Sequence, residues 1–312
     1  MTENETTAQQ PSPSNKSGGL FRKIYRGMLA LILTCCLFLG WLTLRVNAQR
    51  AAIEWVRDNG GNVGYRIETD EKFQFRQPDD VKKQPFGWLV DYAGIDFVSD
   101  VVSVHLADGD LTDVSTLSKF PGLRSLRIGK NNISDLQFVE NFKDLQRLTI
   151  RENSIKDLTP IKDLKLERLD IFSSEVSDLS PISSMTTLKR LDISSTKVTN
   201  IEPLGALVNL ESLKMGFSPI ENFDVLTKLS NLTLLNVEET KIANLDSVSG
   251  MSKLQTLDIE GTQITDVMAL KGLKNLRSLI SGDSKVGPDA IKALQSELPE
   301  LKVGTKKFIY SR

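Results

Sequence analysis

Arginine, aspartate and phenylalanine return at fixed places after a recurring leucine, and those places carry the chemistry that can be read from this chain. Counting two, four and six residues on from Leu145, Leu166 and Leu188 gives Arg147, Thr149 and Arg151, then Arg168, Asp170 and Phe172, then Arg190, Asp192 and Ser194. Lys214 and Phe217 follow, and farther on come Glu238, Glu239, Asp258 and Glu260. Guanidinium and aromatic groups are the types enriched at binding hot spots, so the chemistry is recognition by charge and stacking. The candidate ligand-binding set is Arg147, Arg151, Arg168, Asp170, Phe172, Arg190, Asp192, Lys214 and Phe217, basic toward one end and giving way to acids toward the other. A structural reading stands beside it: Arg168 and Arg190 pair with Asp170 and Asp192 on neighbouring strands, an exposed charge lattice of little energetic weight.

Catalytic groupings are not visible. His105 is the only histidine, and no serine or cysteine nucleophile is assignable to it. Asp108, Asp110 and Asp113 lack the glycine and terminal glutamate of a calcium loop, which favours solvated turn carboxylates. Asn132-Ile133-Ser134 and Asn231-Leu232-Thr233 match glycosylation sequons, which matter only in a eukaryotic host. Phosphate-binding loops, dinucleotide fingerprints, zinc spacings and nucleophile elbows are missing, so no cofactor and no metal is expected. A formal net charge of −1 gives nucleic-acid binding no support.

What positions the candidate residues is a period. Leu123, Leu145, Leu166, Leu188, Leu210, Leu232, Leu254 and Leu276 recur every twenty-two residues, with one step of twenty-one. Each opens the phrase L-x-x-L-x-[I/M/V]-x-x-[N/T/S]-x-[I/V], as in Leu188, Leu191, Ile193, Thr196 and Val198. A weaker copy begins at Val101, with Val104, Leu106, Leu111, Val114, Leu117 and Phe120 at matching offsets, making about nine units. A period of this length marks a stacked solenoid.

Over residues 101–303 the chain resembles the leucine-rich-repeat family, specifically the twenty-two-residue bacterial type of internalin-like proteins. The resemblance implies an α/β fold: a right-handed solenoid with one short parallel strand per repeat on its concave face. It implies neither a reaction nor a ligand. Residues two, four and six places after each opening leucine then point away from the core onto that face. Nine strands at about 4.8 Å spacing make a strip of roughly 40 Å, long enough for a protein, a peptide or a glycan strand.

The residues agree independently. Within L-x-x-L-x-I, apolar and polar residues alternate with the period of a half-buried strand. The rest of each repeat is too short for a full helix and carries Pro160, Pro181 and Pro203 at one equivalent place, predicting 3₁₀ or short helical turns on the convex side. The column Asn131, Asn153, Ser174, Thr196, Ser218, Thr240, Thr262 and Ser284 supplies hydrogen-bond partners where the chain turns out of its strand.

Both ends need covers, because an open solenoid exposes core. Ala51, Ala52, Ile53, Trp55 and Val56 predict a short helix ended by Asn59-Gly60-Gly61, followed by a strand through Val63, Tyr65 and Ile67, then Phe73 and Phe75. Trp88, Leu89, Tyr92, Ile95 and Phe97 suggest a second helix against the first coil. At the far end Pro288 opens a helix with Ile291, Leu294 and Leu298 on one face.

Residues 28–44 are apolar and, at about 1.5 Å each, span roughly 25 Å as a helix. Tyr25 and Trp41 sit near the ends of this stretch, which holds the only cysteines, Cys35 and Cys36. Lys16, Arg22, Lys23 and Arg26 precede it, a bias that keeps the tail cytoplasmic and exports the repeats. An uncleaved anchor is favoured by the length of run and tail; the rival is a signal peptide cleaved after Val46-Asn47-Ala48, leaving a secreted chain. The absence of cysteine-rich caps favours a bacterial source. The expected organisation is a disordered cytoplasmic tail (1–24), a transmembrane helix (25–46), a capping region (47–100), the repeats (101–285) and a closing unit (286–312). The leading expectation is a non-enzymatic, membrane-anchored scaffold that binds a protein, a peptide or a glycan. The alternatives are a self-associating envelope protein and an enzyme with a site in 47–100.

Overall fold

Leucine periodicity becomes strand register. In the computed structural model, which describes residues 17–65 and 99–305, the second leucines of successive repeats lie opposite one another: Leu126, Leu148, Leu169, Leu191, Leu213, Leu235, Leu257 and Leu279. The strands are β1 (Asn62–Tyr65), β2 (Val101–Leu106), β3 (Ser125–Gly129), β4 (Arg147–Arg151), β5 (Arg168–Asp170), β6 (Arg190–Asp192), β7 (Ser212–Lys214), β8 (Leu234–Asn236), β9 (Thr256–Asp258), β10 (Ser278–Ile280) and β11 (Lys302–Gly304). Among the described residues they form one eleven-stranded sheet in sequence order, parallel from β2 onward. Each phrase buries its leucines and isoleucines between neighbouring coils, in one continuous core in which Leu191 is 1% exposed.

Short 3₁₀ turns line the opposite side, from Ser115–Lys119 to Met268–Leu270, and three of them carry the expected prolines in their first turn. One polar residue per repeat starts each turn. Asp135 Oδ1 accepts the Gln137 N–H at 2.7 Å, and Asp157, Asp178, Asn200, Asn222, Asn244 and Asp266 repeat this bond two residues on. Such side-chain-to-backbone loops supply acceptors to the N–H donors that a turn this short leaves open.

A second column was not anticipated. Seven residues after each opening leucine the backbone takes positive φ, 43° at Lys130 and 58° at Phe217, with Gly261 at 66°. Bonds to the next coil hold it, such as Phe217 N–H to Glu238 O at 2.8 Å.

The chain divides between Ala48 and Gln49 into two compact units. In the first, α1 (Ser17–Asp58) begins earlier than expected, so 17–24 is helical rather than unstructured. Once the apolar run has nucleated a helix, each further turn adds hydrogen bonds at little cost. The expected break between a helix over 25–46 and a second short one is also absent, because no proline or glycine interrupts 41–58. Arg22–Asp58 contains a window of mean hydropathy 2.2, long and apolar enough to cross a membrane, a test that a signal sequence also passes. Arg45 stacks over Trp41 at 5.7 Å.

In the second unit, the last turn of α1 ends as Asn59-Gly60-Gly61 predicts: Gly60 takes φ 69° and the Gly61 N–H donates to Val56 O at 2.8 Å. β1 then pairs antiparallel with β2. Ala52, Ile53, Val56 and Tyr65 join the repeat core. At the other end α2 (Pro288–Glu297) buries Leu294, with Leu298 following, and β11 pairs with β10. Ile67, Phe73, Phe75 and the expected second helix with Trp88, Leu89, Tyr92, Ile95 and Phe97 lie outside the described residues, as does the tail over 1–16.

Candidate binding face

In-register pairing of β4, β5 and β6 sets Arg147 opposite Arg168 and Arg168 opposite Arg190, a ladder of three guanidinium groups at one position of three consecutive coils. Like charges directly opposite each other disfavour the sheet. Partial burial, and the nearby Arg190 and Arg168, push the charged form of Arg147 toward proton loss, with Glu167 opposing.

The next inward column reads Thr149, Asp170, Asp192, Lys214, Asn236 and Asp258 from β4 to β9. These side chains leave the core as expected, yet Thr149, Asp170 and Asp258 are buried. The acids and the amide are turn acceptors. Asp170 Oδ1 accepts the Phe172 N–H at 3.3 Å, Asp192 that of Ser194 at 3.1 Å, Asn236 that of Glu238 at 3.2 Å and Asp258 that of Glu260 at 3.1 Å. Asn236 Nδ2 also donates to Asp258 Oδ2 at 2.8 Å.

The expected lattice is therefore corrected. Asp170 is approached by Arg151 of β4, whose Nε lies 3.2 Å from Oδ1 without hydrogen-bond alignment, and by Arg168 of its own strand at 3.5 Å. Arg190 makes no ion pair among the described residues. The Arg151 guanidinium also lies over the Phe172 ring at 4.6 Å.

Burial raises the Asp170 pKa above the ordinary aspartate value, Asp192 adds to the rise, and Arg151, the Phe172 N–H and Arg168 only partly offset it. The folded chain thus holds this proton more tightly than the unfolded chain. Its contribution to stability is complete at low pH and is lost as pH climbs through the elevated folded pKa. Asp170→Asn keeps the turn acceptor, as Asn236 does in its own repeat. The variant is expected to melt at or above the parent temperature at neutral pH, with the gain vanishing near pH 4. A melting point lower than the parent's at neutral pH would show that the Arg151 pairing outweighs burial.

Beside the ladder, Arg151, Phe172, Asp192, Lys214 and Phe217 line one hollow of about 410 Å³ whose far wall carries Asn236 and Glu238. Phe217 departs from the expected positions. It stands at the positive-φ column, where a bulky residue is unfavourable, and is 54% exposed. Five of the nine candidate residues thus meet around one space, while the three arginines of the ladder and Asp170 stand on β4, β5 and β6 outside its lining. Sequence reading missed the turn-acceptor role of Asp170 and Asp192, although acid or amide two residues before a chain reversal is its signal.

The other nominated features do not assemble a site. His105 is opposite Arg127, and burial first, then that arginine, lower its pKa against the pull of Asp108. Among the described residues no group of three or more His, Cys, Asp or Glu side chains converges as a metal site.

The family model for leucine-rich repeats in two copies matches residues 186–228. An internalin (inlF) from Listeria monocytogenes shares 26% identity and a TM-score of 0.57, over 62% of this chain and 57% of that one. A leucine-rich-repeat protein of Leptospira interrogans is 19% identical with a TM-score of 0.54, over 64% of this chain and 59% of that one, a likeness of fold alone. The chain therefore spans less than three fifths of either. No curated protein matches it in sequence. The array is a leucine-rich-repeat solenoid with a parallel sheet on its concave face and 3₁₀ turns on its convex face.

Proposed function

Starting from a leucine-rich-repeat scaffold of internalin-like fold, we propose that this chain is a non-enzymatic binding protein, held to a membrane by α1, that captures a protein partner on the concave face of β4 to β9. The observation that carries this reading is the hollow ringed by Arg151, Phe172, Asp192, Lys214 and Phe217, together with the Arg147, Arg168 and Arg190 ladder on β4, β5 and β6. Arginine and aromatic side chains around a central recess are what binding hot spots are made of. Arg147, Arg168 and Arg190 are not part of the buried apolar core, so they can be changed with little effect on the packing of the coil.

Arg147, Arg168 and Arg190 changed together to Ala should reduce the yield of a crosslinked partner, captured by tagged full-length chain in native membranes, at least about tenfold, equivalent to about 1.4 kcal/mol. The melting temperature should stay close to the parent's. Undiminished capture removes this face.

The anchor reading rests on the apolar window within α1 and on the basic residues Arg22, Lys23 and Arg26 before it, which orient the amino end to the cytoplasm and the repeats outside. A mature protein starting at Gln49 would replace the anchor with cleavage and secretion.

A further inference from the structure

The concave face is electrically graded along the stack, and its one exposed aromatic lies where the sign changes. Arg147, Arg168 and Arg190 stand at one position of β4, β5 and β6, while Glu238 and Glu260 follow β8 and β9 by two residues. Between them Phe217 projects from a backbone conformation that its counterparts fill with Lys130, Glu152, Ser173, Ser195, Glu239, Gly261 and Asp283. No apolar residue other than Phe217 occupies this column from Lys130 to Asp283, more than half of its surface is exposed, and a bulky side chain at positive φ carries backbone strain.

We propose that the partner engages as a bipolar segment: acidic residues on the arginine ladder, a bulky apolar side chain against Phe217 in the hollow, and basic residues toward Glu238 and Glu260. This rests on the concave-face reading and adds the chemistry of what fills it. The charge gradient specifies the occupant, since an acidic segment meets like charge at β8 and β9 and a basic one meets it at β4 to β6. Five strand spacings of about 4.8 Å separate β4 from β9, roughly 24 Å, which an extended chain covers in about seven residues at 3.3 Å each. Burial disfavours the charged form of Arg147, Glu167 opposes this and the two flanking arginines add to it; an acidic end docked there adds negative charge that acts in the same direction as Glu167.

The test uses full-length chain in detergent micelles and fluorescent decapeptides read by polarisation. The parent probe carries three glutamates, a central pair of leucines and three lysines, so it is neutral overall; its sequence is also made in reverse, because a strip of parallel strands does not fix the direction of a segment lying across it. Three control peptides replace the lysines by glutamine, the glutamates by glutamine, or the leucines by serine. The better-oriented parent should bind at least ten times more tightly than each control. Phe217→Gly should erase the preference for leucine while melting no lower than the parent, since glycine already serves this position at Gly261. Glu238→Gln with Glu260→Gln should erase the preference for lysine.

Equal binding of the glutamate-only control overturns the bipolar assignment, as does binding of heparin in place of every peptide. If no peptide binds while crosslinked partner still depends on Arg147, Arg168 and Arg190, the bipolar assignment falls and the concave reading survives. If neither depends on the face, both fall.

Discussion

Leu191→Asp is expected to unfold the middle of the repeat array. Leu191 sits in β6 with Leu169 on one side and Leu213 on the other, and it is 1% exposed. Shortening it to alanine would already cost about 2–5 kcal/mol through lost contact and cavity. Aspartate adds a carboxylate with no partner among leucines and isoleucines, a penalty of several kcal/mol more unless it takes up a proton. The sum is comparable with the whole stability of an ordinary domain, about 5–15 kcal/mol. Because each coil touches only its neighbours, the damage spreads along the stack through lost interfaces. Circular dichroism melting and limited proteolysis should find the parent's main transition lost or lowered by well over 10 °C, with cleavage opening near β6. Leu191→Met, which conserves volume, should stay within about 1.5 kcal/mol of the parent. Unchanged melting of the aspartate variant would contradict the register itself.

That register was legible because it is written eight times, and each copy constrains the others. Leu188, Leu191 and Ile193 make a weak local signal alone, but repetition every twenty-two residues lifts it above chance and fixes which side chains leave the core. The prolines of the convex turns and the Asn59-Gly60-Gly61 stop were legible for a different reason: residue type and backbone requirement coincide there. What the sequence hid were features set by neighbours across the sheet. Asp170 reads as a surface acid, yet it is a buried turn acceptor approached by Arg151 and Arg168. Phe217 reads as one more concave aromatic; its positive φ is invisible because its counterparts are mostly serine, lysine and acids rather than glycine. The charge gradient was readable, whereas the gathering of Arg151, Phe172, Lys214 and Phe217 around one hollow depends on side-chain directions that spacing alone does not supply.

The polar column inside the coil offers the second large effect, because two of its members predict opposite results. Asn153 is 5% exposed, accepts the Ile133 N–H at 3.0 Å, and donates to Arg151 O at 2.8 Å and Ile128 O at 3.3 Å, tying two coils together. Asn153→Ala strands the buried Ile133 N–H and removes a bond to Ile128 O, while Arg151 O still accepts the Lys130 N–H at 3.0 Å. A buried group left unsatisfied costs about 1–3 kcal/mol, so a loss of that size is expected. Ser174 holds the same position one repeat later, is also 5% exposed, and its hydroxyl has no hydrogen-bond partner. Ser174→Ala removes an uncompensated buried polar atom and is expected to be neutral or stabilising, by up to about 1 kcal/mol. Urea unfolding of the two variants checks this directly: the midpoint should fall for Asn153→Ala and hold or rise for Ser174→Ala, with similar slopes. Equal losses at both positions would mean that the column stabilises the coil through side-chain packing, and that the hydrogen bonds of Asn153 add nothing beyond it.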